Sequence, residues 1–151
     1  MTSSVHVQTE IFRYESPLGS IVLELQGDIC LHTRLQKTRA PECSPDHPAA
    51  LWLRAYFRGK VLPLPEIASP KTSFQKRLRK ALLNIPVGKT CSYGELAIHL
   101  GTAPQAVGQA LGANPVPILI PCHRIVAANS LGGFAYGDEW KRKLLAWEAS
   151  I

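Results

Sequence analysis

The chain has 151 residues, 46% of them hydrophobic and 19% charged, and carries a formal net charge of +6. That length supplies one generous core or two small ones, and the composition excludes a disordered or fibrous chain. No apolar run approaches the roughly 20 residues that span a bilayer, so no membrane partner is expected. The charge is unevenly placed: residues 1–70 hold seven Lys/Arg and seven Asp/Glu, whereas residues 71–151 hold ten and four. A basic half beside a neutral one points to a polyanion, nucleic acid first, with a solvated charged face as the plainer reading. The stretch Met1-Thr2-Ser3-Ser4-Val5-His6 lacks the basic region and apolar core of a secretory signal. An intracellular, reducing compartment (cytoplasm, or nucleoid or nucleus) is therefore expected, with Cys30, Cys43, Cys91 and Cys122 as thiols.

Gln8 to Glu15 has the partial period-two pattern of a strand, and Ser16-Pro17-Leu18-Gly19 reads as a turn. Ser20–Leu25 and Ile29–Leu35 are the next strands, giving an antiparallel meander. Lys37 to Pro48 is polar and proline-rich, hence a loop, and Ala49–Phe57 is a helix stopped by Gly59. Cys30, His32, Cys43 and His47 offer two thiols and two imidazoles, but C-x-H…C-x3-H lacks the tight ligand pairs of a zinc site, so no metal is expected.

Residues 60–73 are proline-rich without helical periodicity, which puts a junction between a domain over 1–70 and another over 71–151. Thr72 or Ser73 can cap a helix whose apolar face is Phe74, Leu78, Ala81 and Leu82 and whose other face is basic. Ser92-Tyr93-Gly94-Glu95 fits a capping box and opens a helix to about Leu100. After a tight turn at Gly101-Thr102-Ala103-Pro104, a second helix runs over Gln105–Gly112, so the pair is a helix-turn-helix candidate. Ala106, Gly108, Ala110 and Gly112 permit close approach, either to a neighbouring helix or to a DNA groove.

Asn114-Pro115-Val116-Pro117-Ile118-Leu119-Ile120-Pro121-Cys122-His123-Arg124-Ile125-Val126 follows. Its three prolines fix φ and remove donors, so the apolar residues between them form a rigid irregular segment that ends on a cysteine, a histidine and an arginine. Cys122 is either a small buried apolar residue or a nucleophile. Beyond it, Gly132, Gly133 and Gly137 make a loop that permits close backbone approach. Asp138–Glu148 is a helix with acidic residues in its first turn, a stripe of Trp140, Leu144 and Trp147, and Glu148 beside that stripe.

The thirteen residues Asn114–Val126, with Pro121-Cys122-His123-Arg124 at their centre, resemble the active-site signature of the O6-alkylguanine-DNA alkyltransferases. The specific likeness covers roughly residues 72–151. It implies that Cys122 attacks the alkyl carbon of a guanine rotated out of duplex DNA, in one irreversible turnover and without a cofactor. It further implies that His123 takes the thiol proton through an ordered water, that Glu148 orients His123, and that Asn114 braces the segment. DNA contacts from Tyr93, Gln105, Ala106, Gly108 and Arg124 are implied, as is a base pocket of Tyr93, Pro117, Ile125, Phe134 and Ala135. Gln105 stands where the family carries an arginine that fills the gap in the base stack, and glutamine is shorter and uncharged.

Two other classes compete. A lesion sensor would bind alkylated DNA without transfer, but the relatives that do so replace the cysteine that is kept here. A thiol hydrolase would pair Cys122 with His123, although adjacent positions seldom give that geometry. The expected architecture is α+β: a small antiparallel-sheet domain with a helix, then a mostly helical domain containing the helix-turn-helix. The protein is expected to act as a monomer on double-stranded DNA.

Overall fold

The computed structural model describes residues 8–133 and 136–151, which divide into two compact units meeting at Ala68 and Ser69.

In the first unit, β1 (Glu10–Ser16), β2 (Gly19–Gln26) and β3 (Ile29–Arg34) form an antiparallel sheet in chain order. Ser16 sets the first turn: its Oγ accepts from the amides of Leu18 and Gly19, each at 3.1 Å. β2 shows little alternation, since Ile21, Val22, Leu23 and Leu25 are all buried. Such a central strand is covered on both faces, and its side chains read as a run. α1 (Pro48–Tyr56) packs against β1 and begins at His47, whose Nδ1 accepts from Ala49 N at 3.0 Å. The other nitrogen, Nε2, lies 2.8 Å from the Gly27 carbonyl. Cys30 is fully buried in β3. Among the described residues no three His, Cys, Asp or Glu side chains are grouped to hold a metal ion.

The second unit contains α2 (Ser73–Leu83), β4 (Cys91–Ser92), α3 (Tyr93–Leu100), α4 (Pro104–Gly112), a 3₁₀ turn (Cys122–Arg124), β5 (Ile125–Val126) and α5 (Asp138–Ala149). Thr72 caps α2 through its Oγ1, 3.0 Å from Gln75 N, and Leu78, Ala81 and Leu82 are its buried side. Both halves of the capping box form at the start of α3: Ser92 Oγ accepts from Glu95 N, and Glu95 Oε1 accepts from Ser92 N. Gly101, at φ 68°, closes α3 in the left-handed conformation that glycine adopts without a Cβ penalty. Pro104 then opens α4 from its first turn, completing the helix-turn-helix. Arg77 Nη2 donates to the Leu100 carbonyl at 2.6 Å, tying the end of α3 back to α2.

One pairing was not foreseen. Cys91 and Ser92 pair in parallel with Ile125 and Val126, joining the entrance of the helix-turn-helix to the residues just beyond Cys122. α5 also corrects the expected stripe: Lys141, Leu144 and Glu148 face inward, while Trp140 and Trp147 are only half-buried. Among the described residues no helix is long and apolar enough to cross a membrane.

Candidate active site

The irregular segment is held from within. Asn114 Oδ1 accepts from Val116 N at 3.0 Å, and its Nδ2 donates to the Ile120 carbonyl at 2.9 Å. Between them Ile118, 1% exposed, sits at φ 77°, a conformation that a β-branched residue adopts only when its surroundings impose it. Cys122 N donates to Ile120 O at 2.8 Å, and the 3₁₀ turn then parts the Cys122 side chain from the two that follow. Cys122 lines a cleft, whereas His123 and Arg124 turn toward α5.

There Glu148 gathers both. His123 Nε2 donates to its Oε2 at 2.7 Å, and Arg124 grips the carboxylate at both oxygens, Nε and Nη2 each at 2.9 Å. A third donor of Arg124, Nη1, reaches the Ile85 carbonyl at 2.7 Å. Such bidentate pairing is what makes a buried ionised carboxylate tenable. Arg124, expected among the DNA contacts, is buried in this cluster. His123 Nδ1 is buried, and among the described residues nothing bonds to it.

Electrostatics follow from burial. Desolvation pushes the Cys122 thiol up to about 11, against the smaller opposing pull of a hydrogen bond with Asn114 and of the Lys141 cation. Desolvation likewise holds His123 below its ordinary value, with Glu148 pulling the other way. At neutral pH the resting pair is therefore thiol and neutral imidazole.

The cleft has a volume of about 690 Å³ and is lined by Cys122 together with Tyr93, Gln105, Gly108, Gly133 and Tyr136 among others. A Cβ on Gly108 would meet nothing within 4 Å, so the small residue leaves that wall open. Tyr93 donates to the Gly133 carbonyl at 3.1 Å, and Gly132, at φ 73°, packs so close that a Cβ there would lie 2.8 Å from Tyr93 Cε2. Lys141 closes this corner. Its Nζ donates to the carbonyls of Ile125 (2.6 Å) and Gly133 (3.1 Å) and lies 5.7 Å from the Tyr93 ring centroid.

Of the predicted site residues, the structure brings Cys122, Asn114, Tyr93 and Gln105 to this cleft or its supporting segment, and His123 with Glu148 behind it. Ala106 is half-buried on α4. Pro117 and Ile125, expected in the base pocket, are buried and are not among the residues lining the cleft. Phe134 and Ala135 lie outside the described residues. Lys141 and Tyr136 were missed. Lys141 stands two helical turns before Glu148, so the inward face assigned to Glu148 already implied it. Tyr136 carried no comparable signal.

A thiol set in a cleft beside a helix-turn-helix, on a basic unit, defines a DNA-binding domain with a cysteine reaction centre. Residues 73–150 match the model of the 6-O-methylguanine DNA methyltransferase, DNA binding domain. A methylated-DNA–protein-cysteine methyltransferase of Mycobacterium tuberculosis is 40% identical over 149 residues, 90% of each chain. The crystal structure of the O6-methylguanine methyltransferase of that organism superposes with a TM-score of 0.79 at 35% identity, covering 95% of this chain and 94% of that one. The M. tuberculosis OGT in complex with DNA gives 0.77 at 37% identity over 93% of each chain. The chain belongs to the methylated-DNA–protein-cysteine methyltransferase family.

Proposed function

We propose that Cys122 is the alkyl acceptor through which this repair methyltransferase acts on O6-alkylguanine in duplex DNA. The observation that carries this is that Cys122 lines the cleft while the next two residues, His123 and Arg124, are buried against Glu148. The sulfur attacks the alkyl carbon; the S–C bond forms as the C–O6 bond breaks, and the electron pair leaves on the guanine, which takes up a proton. The thiol proton passes to His123 Nδ1, by way of a bridging water, and Glu148 at Nε2 holds the ring in the tautomer that leaves Nδ1 free to accept. Because the thiol is the resting form, it must lose its proton as it reacts, and this is the work assigned to His123.

The target base has to leave the stack to reach the sulfur. α4 supplies the DNA face: Gln105 is exposed at its start, and Gly108 leaves its wall open for another backbone. Tyr93 stands on the same cleft and crowds the flipped nucleotide. Lys141 and Asn114 are positioning residues. The thioether has no thiol assigned to resolve it, so each monomer reacts once, in the compartment that holds the DNA.

Incubation with a duplex carrying O6-methylguanine, followed by intact mass, tests the assignment. The wild type should gain one methyl group, located on Cys122, while Cys122→Ser should gain none and still bind the duplex. Loss of binding as well as transfer would make the thiol a packing residue.

A further inference from the structure

We propose that Gln109 reads a base pair beside the lesion, bonding the minor-groove edge of a guanine there and so giving the protein a preference for a G·C neighbour. The inference rests on α4 being the face laid on DNA. Successive residues of a helix point about 100° apart, and Val107, Ala110 and Leu111 mark the buried side of α4. Gln105 and Gln109 fall on the opposite side, about 40° from one another, and both are exposed. Gln105 lines the cleft with Pro104, Gly108, Leu111 and Gly112, whereas Gln109 is not among the lining residues. Gln109 therefore stands on the outward face of α4, on the flank turned away from the cleft. Among the described residues its amide has no partner.

The rest of that face is nearly bare. Gly108 and Gly112 carry no side chain, Ala106 and Ala113 only a methyl group, and a Cβ on Gly108 would meet nothing within 4 Å. A helix dressed with side chains fills the major groove, about 12 Å wide; a face stripped to its backbone would leave that groove half empty and seats instead against the minor groove, about 6 Å across. Two amides then rise from a smooth surface, their Cβ atoms about 5–6 Å apart, or one to two base steps of about 3.4 Å. Gln105, at the cleft, meets the place that the flipped base has left, and Gln109 meets the stacked pairs beyond it. In this groove every pair offers acceptors, and only G·C adds a donor, the guanine N2 amino group. A glutamine amide carries both functions in one plane: Oε1 accepts from N2–H while Nε2 donates to N3. An A·T pair satisfies the donor half alone.

Equilibrium binding to O6-methylguanine duplexes tests this, with the first two pairs on each side of the lesion set in turn to G·C, A·T or inosine·C, which keeps the pairing geometry and lacks the N2 amino group. At one of those positions wild type should bind the G·C duplex roughly fivefold or more tightly than the A·T duplex, with inosine·C ranking beside A·T. Gln109→Met, which keeps the length and loses the amide, should bring that ratio to about one. Gln109→Ala should do the same, so a folding fault in one variant leaves the comparison intact. Equal wild-type affinities, or a preference that survives both substitutions, overturns the inference. So does a preference lost with 7-deazaguanine and kept with inosine, because 7-deazaguanine lacks the major-groove N7. Gly108→Glu sets a bulky anion on the bare face and should abolish duplex binding. Undiminished binding by that variant would sink the reading of α4 as the DNA face, whereas its loss of binding beside a flat neighbour ratio in wild type sinks only the role of Gln109.

Discussion

His123 and Glu148 meet at 2.7 Å with side chains 0% and 1% exposed, a charge-assisted hydrogen bond sealed from solvent on both sides. Arg124 shares the carboxylate, so Glu148→Ala strands a guanidinium and an imidazole at once. Removing one partner of a buried pair costs about 3–5 kcal/mol. With the imidazole unheld, transfer should also fall by about 10²-fold or more. Urea unfolding and single-turnover mass spectrometry measure the two effects; retention of the full rate would remove Glu148 from the mechanism.

The acid limb of stability should carry the signature of His123. In the unfolded chain its imidazole titrates near the ordinary value of about 6.5, and burial lowers it in the native state. Below pH ~6.5 the unfolded state takes up a proton that the native state refuses, so stability declines as pH falls and levels off only below the depressed native value. Above that window the group contributes no slope. Wild type should therefore lose more stability between pH 7.5 and 5.5 than His123→Gln does. Equal losses would show that other groups govern the acid response.

Lys141→Met keeps the length of the buried stem and removes the amine that serves Ile125 O and Gly133 O. The Ile125 carbonyl then loses this donor, while the Gly133 carbonyl keeps that of Tyr93, a loss of about 1–3 kcal/mol. The wall held by Gly133 and Tyr93 should loosen as well, lowering the transfer rate. If both stability and rate are unmoved, the ammonium has no positioning role.

Gly132→Ala combines a positive φ with a contact of 2.8 Å to Tyr93 Cε2 and 3.1 Å to the Ala127 amide. The cost should be about 1–3 kcal/mol. Because the displaced neighbour is Tyr93, transfer should slow more than binding weakens; differential scanning calorimetry beside rate and affinity measurements resolves the split.

Gln105→Arg should tighten binding to alkylated duplex, with the slope of log affinity against log salt steepening by about 0.9 if the new guanidinium meets one phosphate. Stacking without charge neutralisation would tighten binding and leave the slope alone. No change in either would show that Gln105 does not enter the DNA.

The sequence disclosed the parts of this site that rest on local chemistry. The capping box at Ser92–Glu95 and the Gly101 turn are dictated by neighbours in the chain, and both form as read. Strand edges moved by one or two residues, as hydrogen-bond ends do. What stayed hidden was tertiary. The two-residue pairing of Cys91–Ser92 with Ile125–Val126 is too short to leave a period, and only the fold shows it. Arg124 was expected among the DNA contacts on resemblance alone, and its pairing with Glu148, twenty-four residues on, left no local signal. Lys141 gave no sign of burial because burying an ammonium is costly, and two carbonyl acceptors offset that cost.

Ile118 carries one more implication. Its left-handed backbone, worth about 1–3 kcal/mol of unfavourable energy, persists because packing around Val116, Leu119 and Ile120 compels it. The thirteen-residue signature is thus not portable: grafted into a peptide or a foreign loop, it would relax to an ordinary conformation and its cysteine would behave like any thiol in solution. Reactivity here is a property borrowed from the entire surrounding body, which is why the letters of the motif alone would not confer it.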